Sequence, residues 1–124
     1  AESTATSAAL EGRSLEPLGA LHAMPDVHSL TLLRAQPERS QALGAHLLDL
    51  AAVAVTDAGC LDYRVFQGSE DGDLWVIQAR WASVAAQDDH FNQPHTLAFL
   101  DELPKLADEV DLYPLEPKGP TAEL

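Results

Sequence analysis

The chain has 124 residues and carries 20 acidic side chains against seven Lys and Arg, which gives a formal net charge of −13. This length is typical of one domain. The charge excludes a nucleic-acid-binding surface or attachment to an anionic membrane, because both need a local excess of basic side chains.

The first 26 residues are predicted to form an N-terminal extension that packs on the body of the protein or on a partner subunit. Residues 1–12 are mostly Ala, Ser and Thr, which cannot form a core alone. Residues 13–26 repeat Leu and Met at a spacing of three, which predicts a short helix or 3₁₀ segment.

The body begins at Val27 with VHSLTLLR, which is typical of a strand and ends before Pro37. A helix is predicted over residues 37–58, with Pro37 in its first turn and Gly59 directly after its C-terminus. Its apolar residues recur with the period of a helix and form one stripe. The stripe contains Leu43, Leu47, Leu50, Ala51 and Ala54.

The next strand is predicted over CLDYRVFQ, residues 60–67. Simple alternation places Leu61, Tyr63 and Val65 on one face of this strand, and Cys60 and Phe66 on the other.

The acidic, glycine-containing run at residues 68–73 indicates a turn, and LWVIQARWA at residues 74–82 indicates a second strand. The two strands are expected to pair as a hairpin. Four residues of the second strand share one face: Trp75, Ile77, Ala79 and Trp81.

Ser83 is the predicted N-cap of a short helix over residues 84–92, which Pro94 interrupts. A second helical piece is predicted over residues 95–108, with a bend at Pro104. In this piece Leu recurs at a spacing of three, at positions 97, 100, 103 and 106. A last strand at residues 109–115 and a polar tail at 117–124 complete the chain.

This order of elements predicts a ferredoxin-like α+β domain over residues 27–116, with a four-stranded, mainly antiparallel sheet and helices on one face. The other face of the sheet is left open. Because Phe66 and Val76 fall on it, this face is too apolar to remain in water, and we expect a homodimer through the open sheet face.

Nucleotide, nicotinamide and flavin motifs are absent from the sequence. Cys60 follows a predicted helix C-terminus, whose partial negative charge raises the pKa of a thiol, so a buried structural role is expected. The acidic runs at residues 70–73 and 108–111 lack EF-hand spacing and are interpreted as solvated turns and helix ends.

Four spaced segments resemble the antibiotic biosynthesis monooxygenase family over roughly residues 27–115. They are AGCLDYRVFQ (58–67), ARW (79–81), a histidine nine residues after Trp81, and PHTLAF (94–99). The family pattern commonly has a glutamate before its arginine and tryptophan, and this chain has Ala79 there.

The resemblance implies a dimeric α/β barrel with a cleft between sheet and helices in each subunit. It also implies oxidation of an aromatic anthrone-, phenol- or quinol-like molecule by O₂, with no cofactor. Such a reaction needs a base, a donor to an oxyanion and a dry apolar cavity.

His90 and His95 are the candidate bases, because an imidazole titrates near neutral pH. A metal site is not expected, since their spacing of five contains a proline and the sequence offers no evident third ligand. Trp81 completes the candidate catalytic set through its indole N–H, although packing explains a tryptophan here equally well. The candidate substrate-binding residues are Tyr63, Phe91, Asn92 and Phe99.

Two other functions remain open. Haem-degrading relatives share the fold and use Trp and His, but their first strand carries an asparagine that VHSLTLLR lacks. A non-catalytic dimer that binds a small ligand is also compatible with the fold. The lone cysteine, the absence of a long apolar run and a start unlike a signal peptide favour the cytoplasm.

Overall fold

The computed structural model describes residues 26–118. The extension predicted over residues 1–26 and the tail predicted over residues 117–124 therefore lie almost wholly outside the described residues. Within the described range, none of the helices has the length and apolar character needed to cross a membrane.

The described chain forms one four-stranded sheet with its helices on one side. The sheet order is β2-β3-β1-β4, and every neighbouring pair is antiparallel. This confirms the ferredoxin-like α+β fold, and the sheet is open rather than closed into a barrel. In chain order the elements are β1 (Val27–Ala35), α1 (Ser40–Ala54), β2 (Cys60–Gln67), β3 (Leu74–Trp81), α2 (Val84–Phe91), α3 (Pro94–Glu102), a 3₁₀ turn (Leu103–Lys105) and β4 (Ala107–Leu115).

The core lies between α1 and the covered face of the sheet. The predicted stripe of α1 is confirmed, with Leu43, Leu47 and Ala54 fully buried. The predicted face of β3 is confirmed as well, because Trp75, Ile77, Ala79 and Trp81 are all buried. Each large apolar side chain removed from water in this layer contributes about 1.5–3 kcal/mol to folding.

The predicted faces of β2 were wrong at its start. The register shifts between Cys60 and Asp62, so two residues of β2 face one residue of β3. Cys60 lies opposite Trp81 and packs against the core, whereas Leu61 is 44% exposed. The bulge reverses the alternation for its first two residues, while Tyr63 and Val65 keep their predicted face.

The first helix is shorter than predicted at both ends. It begins at Ser40 because Glu38 has a left-handed backbone (φ 66°) that a helix does not contain, so Pro37 lies in a turn before it. It ends at Ala54, and turn hydrogen bonds continue the chain. Gly59 is therefore not the residue after the helix, although its φ of 82° does show the left-handed conformation expected of such a glycine.

Of the two short helices, α2 begins where predicted and α3 begins at Pro94, one residue earlier than predicted. The Ser83 side chain accepts a hydrogen bond from the Ala86 amide at 3.0 Å, which confirms the N-cap. Pro94 opens α3, and the 3₁₀ turn at Pro104 ends it.

The leucine repeat of α3 does not form its buried face. Leu97 and Leu100 are exposed, and Thr96 and Phe99 are buried instead, whereas Leu103 and Leu106 of the same repeat are buried after α3 ends. A helix buries residues three and four apart, so a strict spacing of three drifts off the covered face.

The face of the sheet away from the helices carries an apolar strip. Phe66 on β2 lies opposite Val76 on β3, which in turn lies opposite Leu32 on β1. In the next row Leu30 lies opposite Tyr113 on β4. Phe66 is 48% exposed and Tyr113 is 47% exposed, so this strip is open to solvent in the single chain.

Candidate active site

Two imidazole side chains from separate helices converge on one carboxylate oxygen. Asp57 Oδ2 lies 2.8 Å from His90 Nδ1 and 2.9 Å from His95 Nε2. Asp57 belongs to the turn before β2, His90 to the last turn of α2 and His95 to the first turn of α3. His90 is 3% exposed, and the Asp57 side chain is 8% exposed.

Local sequence places each member of the cluster. The turn that holds Asp57 is closed by hydrogen bonds from the Asp57 amide to the Ala54 carbonyl and from the Cys60 amide to the Asp57 carbonyl. The break before Pro94 changes the direction of the chain between α2 and α3. As a result the two histidines, five residues apart in sequence, meet at one point with ring centroids 6.2 Å apart.

The carboxylate fixes the tautomer of both imidazole rings. An ionised carboxylate only accepts hydrogen bonds, so the nitrogen atoms that face Asp57 are N–H donors when the rings are neutral. The unprotonated nitrogens are then Nε2 of His90 and Nδ1 of His95. Because His95 has the more exposed side chain, at 23%, its Nδ1 lone pair is the more accessible base.

The charges of the cluster follow from its burial and its hydrogen bonds. Burial opposes the charge of Asp57, but the hydrogen bonds from His90 and His95 outweigh it, and the pKa of this carboxyl lies below its ordinary value. Burial lowers the pKa of His90 even though Asp57 acts in the opposite direction, so this ring is neutral at pH 7. Asp57 is thus ionised and accepts hydrogen bonds from the imidazole N–H groups of both histidines.

Aromatic rings enclose the His90 side of the cluster. The Trp81 ring lies 4.6 Å from the His90 ring at an interplanar angle of 32°, and Trp81 is 1% exposed. The Tyr63 ring lies 5.6 Å from His90 and meets Trp81 edge to face, with centroids 6.4 Å apart. Phe91 adds a third ring 5.2 Å from His90. Water is therefore largely excluded from this side.

Tyr63 is a neutral donor in this setting. Burial, followed by the nearby Cys60 and Asp57, raises the pKa of its phenol well above the ordinary value. Its hydroxyl and the Trp81 indole N–H form no hydrogen bond with any other of residues 26–118. Two buried polar groups beside the histidines are thus without a partner among the described residues.

The remaining predicted residues lie in different surroundings. Asn92 is exposed, and its side-chain amide donates to the Asp88 carbonyl at 2.9 Å, within its own helix. Phe99 is buried in the core cluster. Cys60 is half-buried, burial raises the pKa of its thiol, and the thiol donates to the Asp62 carbonyl, in keeping with a structural role.

Asp57 is the functional residue that sequence reasoning missed. In sequence it is one of many carboxylates in turns, without any motif around it. The topology held a signal, however: β2 pairs with β3, so the start of β2 lies beside the end of β3, where α2 begins. A carboxylate just before β2 therefore meets the histidines that follow β3.

A separate groove of about 570 Å³ lies at the other end of α1 and β3. The Trp75 indole N–H donates to Ser40 Oγ at 3.0 Å on its wall. Its lining shares no residue with the Asp57 cluster, so it does not supply a substrate cavity to the histidines. The other lining residues are Gln41, Gly44, Ala45, Leu48, Gln67, Gly72 and Asp73.

Comparison with known proteins identifies both family and fold. The model of the family described as antibiotic biosynthesis monooxygenase matches residues 27–102, which is more than half of the chain. No curated protein matches the sequence.

Several solved structures share the fold. PA3566 from Pseudomonas aeruginosa is 28% identical, with a TM-score of 0.73 over 76% of this chain and 95% of its own. Rv0793 from Mycobacterium tuberculosis is 23% identical, with a TM-score of 0.73 over 79% of this chain and 100% of its own. A candidate antibiotic biosynthesis monooxygenase from Bacteroides thetaiotaomicron is 20% identical, with a TM-score of 0.73 over 80% of this chain and 95% of its own.

Proposed function

This chain belongs to the antibiotic biosynthesis monooxygenase family, and on that premise we propose that it oxidises a small aromatic molecule of the anthrone, phenol or quinol type with O₂. The proposed reaction uses neither a metal nor a flavin. The observation that carries the proposal is the hydrogen bond between Asp57 and His95, which leaves the Nδ1 lone pair of His95 free next to His90 and its aromatic neighbours.

In the proposed first step, His95 Nδ1 removes a proton from the substrate. Asp57 holds the ring in the correct tautomer and stabilises the imidazolium that forms. A positioned base of this kind contributes about 10²–10⁴-fold to a rate. The substrate becomes an electron-rich anion, and Tyr63 is the proposed donor to its oxygen.

The anion then takes the place of a cofactor. It passes one electron to O₂, and the resulting radical pair combines to form a carbon–oxygen bond. For an anthrone, the peroxide anion at the former CH₂ carbon takes back the proton held by His95 and then loses water to give the ketone. One oxygen atom enters the product and the other leaves as water, and all four electrons come from the substrate, so no outside reductant is needed.

The charge distribution supports an uncharged ligand. Asp57 is a buried, ionised carboxylate, and the whole chain carries −13. Both disfavour a polyanionic substrate, which the field of the protein repels. The walls formed by Trp81 and Phe91 suit a flat aromatic ring instead.

We also propose that the protein is a homodimer through its open sheet face. The strip of Phe66, Val76, Leu32, Leu30 and Tyr113 runs across all four strands. Because exposed apolar strips of this kind are unfavourable in water, a second copy of the same face is the proposed cover, as in a dimeric α/β barrel.

Oxygen uptake by metal-stripped protein tests the proposed reaction. We expect uptake with at least one member of a panel of anthrones and hydroquinones, and a loss of about 10²–10⁴-fold in His95→Ala. The matched control is His46→Ala, because His46 is half-buried on α1 and, among residues 26–118, its ring bonds to the Ala42 carbonyl alone. The proposal is wrong if the wild type consumes no oxygen with any substrate, or if His95→Ala and His90→Ala are as active as wild type.

A further inference from the structure

The buried Asp57 carboxylate has no Lys or Arg partner among residues 26–118. Its side chain is 8% exposed, and the groups within ion-pair distance of it are the imidazoles of His90 and His95. A buried carboxylate is costly without a cation beside it, so this pocket favours one.

The three groups also have the chemistry of metal ligands. They offer one carboxylate oxygen and two imidazole nitrogens, the donor set that suits Zn²⁺, Fe²⁺ and similar ions rather than the oxygen-preferring Mg²⁺ or Ca²⁺. The three donor atoms lie within 4.8 Å of one another. The sequence offered the two histidines without an evident third ligand, and Asp57 is that ligand.

The spacing of the donor atoms fits a metal with small adjustments. Bonds of about 2.1 Å place neighbouring ligand atoms about 3.4 Å apart in the tetrahedral site that Zn²⁺ prefers. The observed separations from Asp57 Oδ2 are 2.8 Å to His90 and 2.9 Å to His95, and all three donor atoms lie within 4.8 Å of one another. A movement of the more exposed His95 ring by about 1–1.5 Å, with a separation of Asp57 from His90 by about 0.6 Å, brings the three donors to this spacing.

We propose that Asp57, His90 and His95 form a binding site for one divalent first-row transition metal ion, with Zn²⁺ as its simplest occupant. The three protein ligands leave the remaining positions on the metal to water or to a ligand in the cleft. The partly exposed edge of His95 gives the ion its entry path, while Trp81 and Tyr63 close the opposite side.

Metal binding reverses the tautomer of His95. The ion takes the Nε2 lone pair, so the ring proton moves to Nδ1, which then becomes a donor. The atom assigned as the base is thereby lost. This consequence rests on the proposed function. If the protein is an active oxygenase, the bound metal ion inhibits it, because His95 cannot act as the base while the cluster holds a metal.

Direct binding measurements test the site without any substrate. Equilibrium dialysis of chelator-treated protein against Zn²⁺ is expected to give one ion per chain, and Co²⁺ is expected to give visible absorption bands typical of mixed nitrogen and oxygen ligands. Asp57→Asn and His95→Gln should each lose this binding at least tenfold. His46→Gln removes a histidine outside the cluster and should bind like wild type.

Nuclear magnetic resonance of the imidazole nitrogens provides the second readout. Addition of Zn²⁺ is expected to shift the His90 and His95 ring signals and to move the His95 proton from Nε2 to Nδ1. His95→Gln keeps the buried members of the cluster, so it remains informative if Asp57→Asn fails to fold. The proposal is overturned if wild type binds no stoichiometric metal, or if both cluster variants bind as wild type does.

Oxygen-uptake measurements distinguish the proposed metal site from the proposed oxygenase function. If the protein consumes oxygen, Zn²⁺ should suppress the rate over the same concentration range in which it binds, and a chelator should restore the rate. Activation by Zn²⁺ would contradict the tautomer argument. If the protein consumes no oxygen with any substrate, the proposed function fails, while dialysis and the imidazole signals still decide the metal site.

Discussion

The Nδ1 atom of His90 lies 2.8 Å from the Oδ2 atom of Asp57, although 33 residues separate them in the chain. The contact joins the turn before β2 to the end of α2, and the bulge at Cys60 lies between them on the sheet. The same oxygen also meets His95. One carboxylate therefore orients both imidazoles. Removing it should reduce activity more than removing an exposed surface carboxylate does.

Asp57→Asn is expected to lower kcat by about 10²–10⁴-fold with little change in KM, because an amide no longer holds His95 in its basic tautomer. Steady-state oxygen-uptake kinetics measure this effect. Circular dichroism and thermal melting show whether the variant is folded. Asp88→Asn is the matched control, since Asp88 is an exposed carboxylate on α2. Equal activity of Asp57→Asn and wild type would refute the role of Asp57 as a positioning residue.

Gly44→Ala is expected to destabilise the protein by about 1–3 kcal/mol, despite the better helix propensity of alanine. A Cβ at this position of α1 would lie 2.5 Å from the Trp75 ring. The ring cannot move freely, because its indole N–H is bonded to Ser40. Urea unfolding measures the loss of free energy.

Gly72→Ala is the matched control for this substitution. The added Cβ would be 3.5 Å from the Gln67 amide nitrogen, an ordinary contact, and the change in stability should stay within about 0.5 kcal/mol. Equal stabilities of the two alanine variants would show that the contact between Gly44 and Trp75 is not tight.

The fold was predictable because its periodic patterns are strong. The helical stripe of Leu43 and Leu47 and the alternation of Trp75 and Trp81 each have one reasonable interpretation, and both are buried as expected. The bulge in β2 was not predictable from the pattern. Leu61 is apolar, so simple alternation assigns it to the core, and only pairing with β3 shows that one residue is extra.

The candidate site was predictable only in part. The histidines and Trp81 could be identified because the segments around them resemble a known family, and the structure brings them together. Asp57 was not, since a carboxylate in a turn is ordinary in a chain with 20 acidic residues. Its role depends on long-range contact with α2 and α3, which no local pattern encodes.

Phe66→Asp is expected to give a monomer at micromolar concentration, because it places a charge in the apolar strip of the open sheet face. Light scattering coupled to size-exclusion chromatography measures the mass. Leu48→Asp is the matched control: Leu48 is 59% exposed, more than Phe66, but lies on α1 away from this face. A monomeric wild type, or a Phe66→Asp dimer, would contradict the proposed interface.

Gly59→Ala is expected to lower the free energy of unfolding by roughly 1–3 kcal/mol through the backbone alone, because residue 59 has a left-handed φ of 82°. A further loss comes from steric overlap, since the added Cβ would overlap the Cβ of Ala86 on α2. The two causes separate in a double-mutant cycle with Ala86→Gly, which costs about 1 kcal/mol by itself through lower helix propensity.

If the overlap contributes, the Gly59→Ala/Ala86→Gly double variant should be more stable than the sum of the single losses predicts. The backbone cost should remain in it, because Ala86→Gly does not change φ at residue 59. Urea unfolding of the four proteins measures the coupling. Additivity within about 0.5 kcal/mol would show that the backbone conformation causes the whole loss of stability and that the contact with α2 contributes nothing.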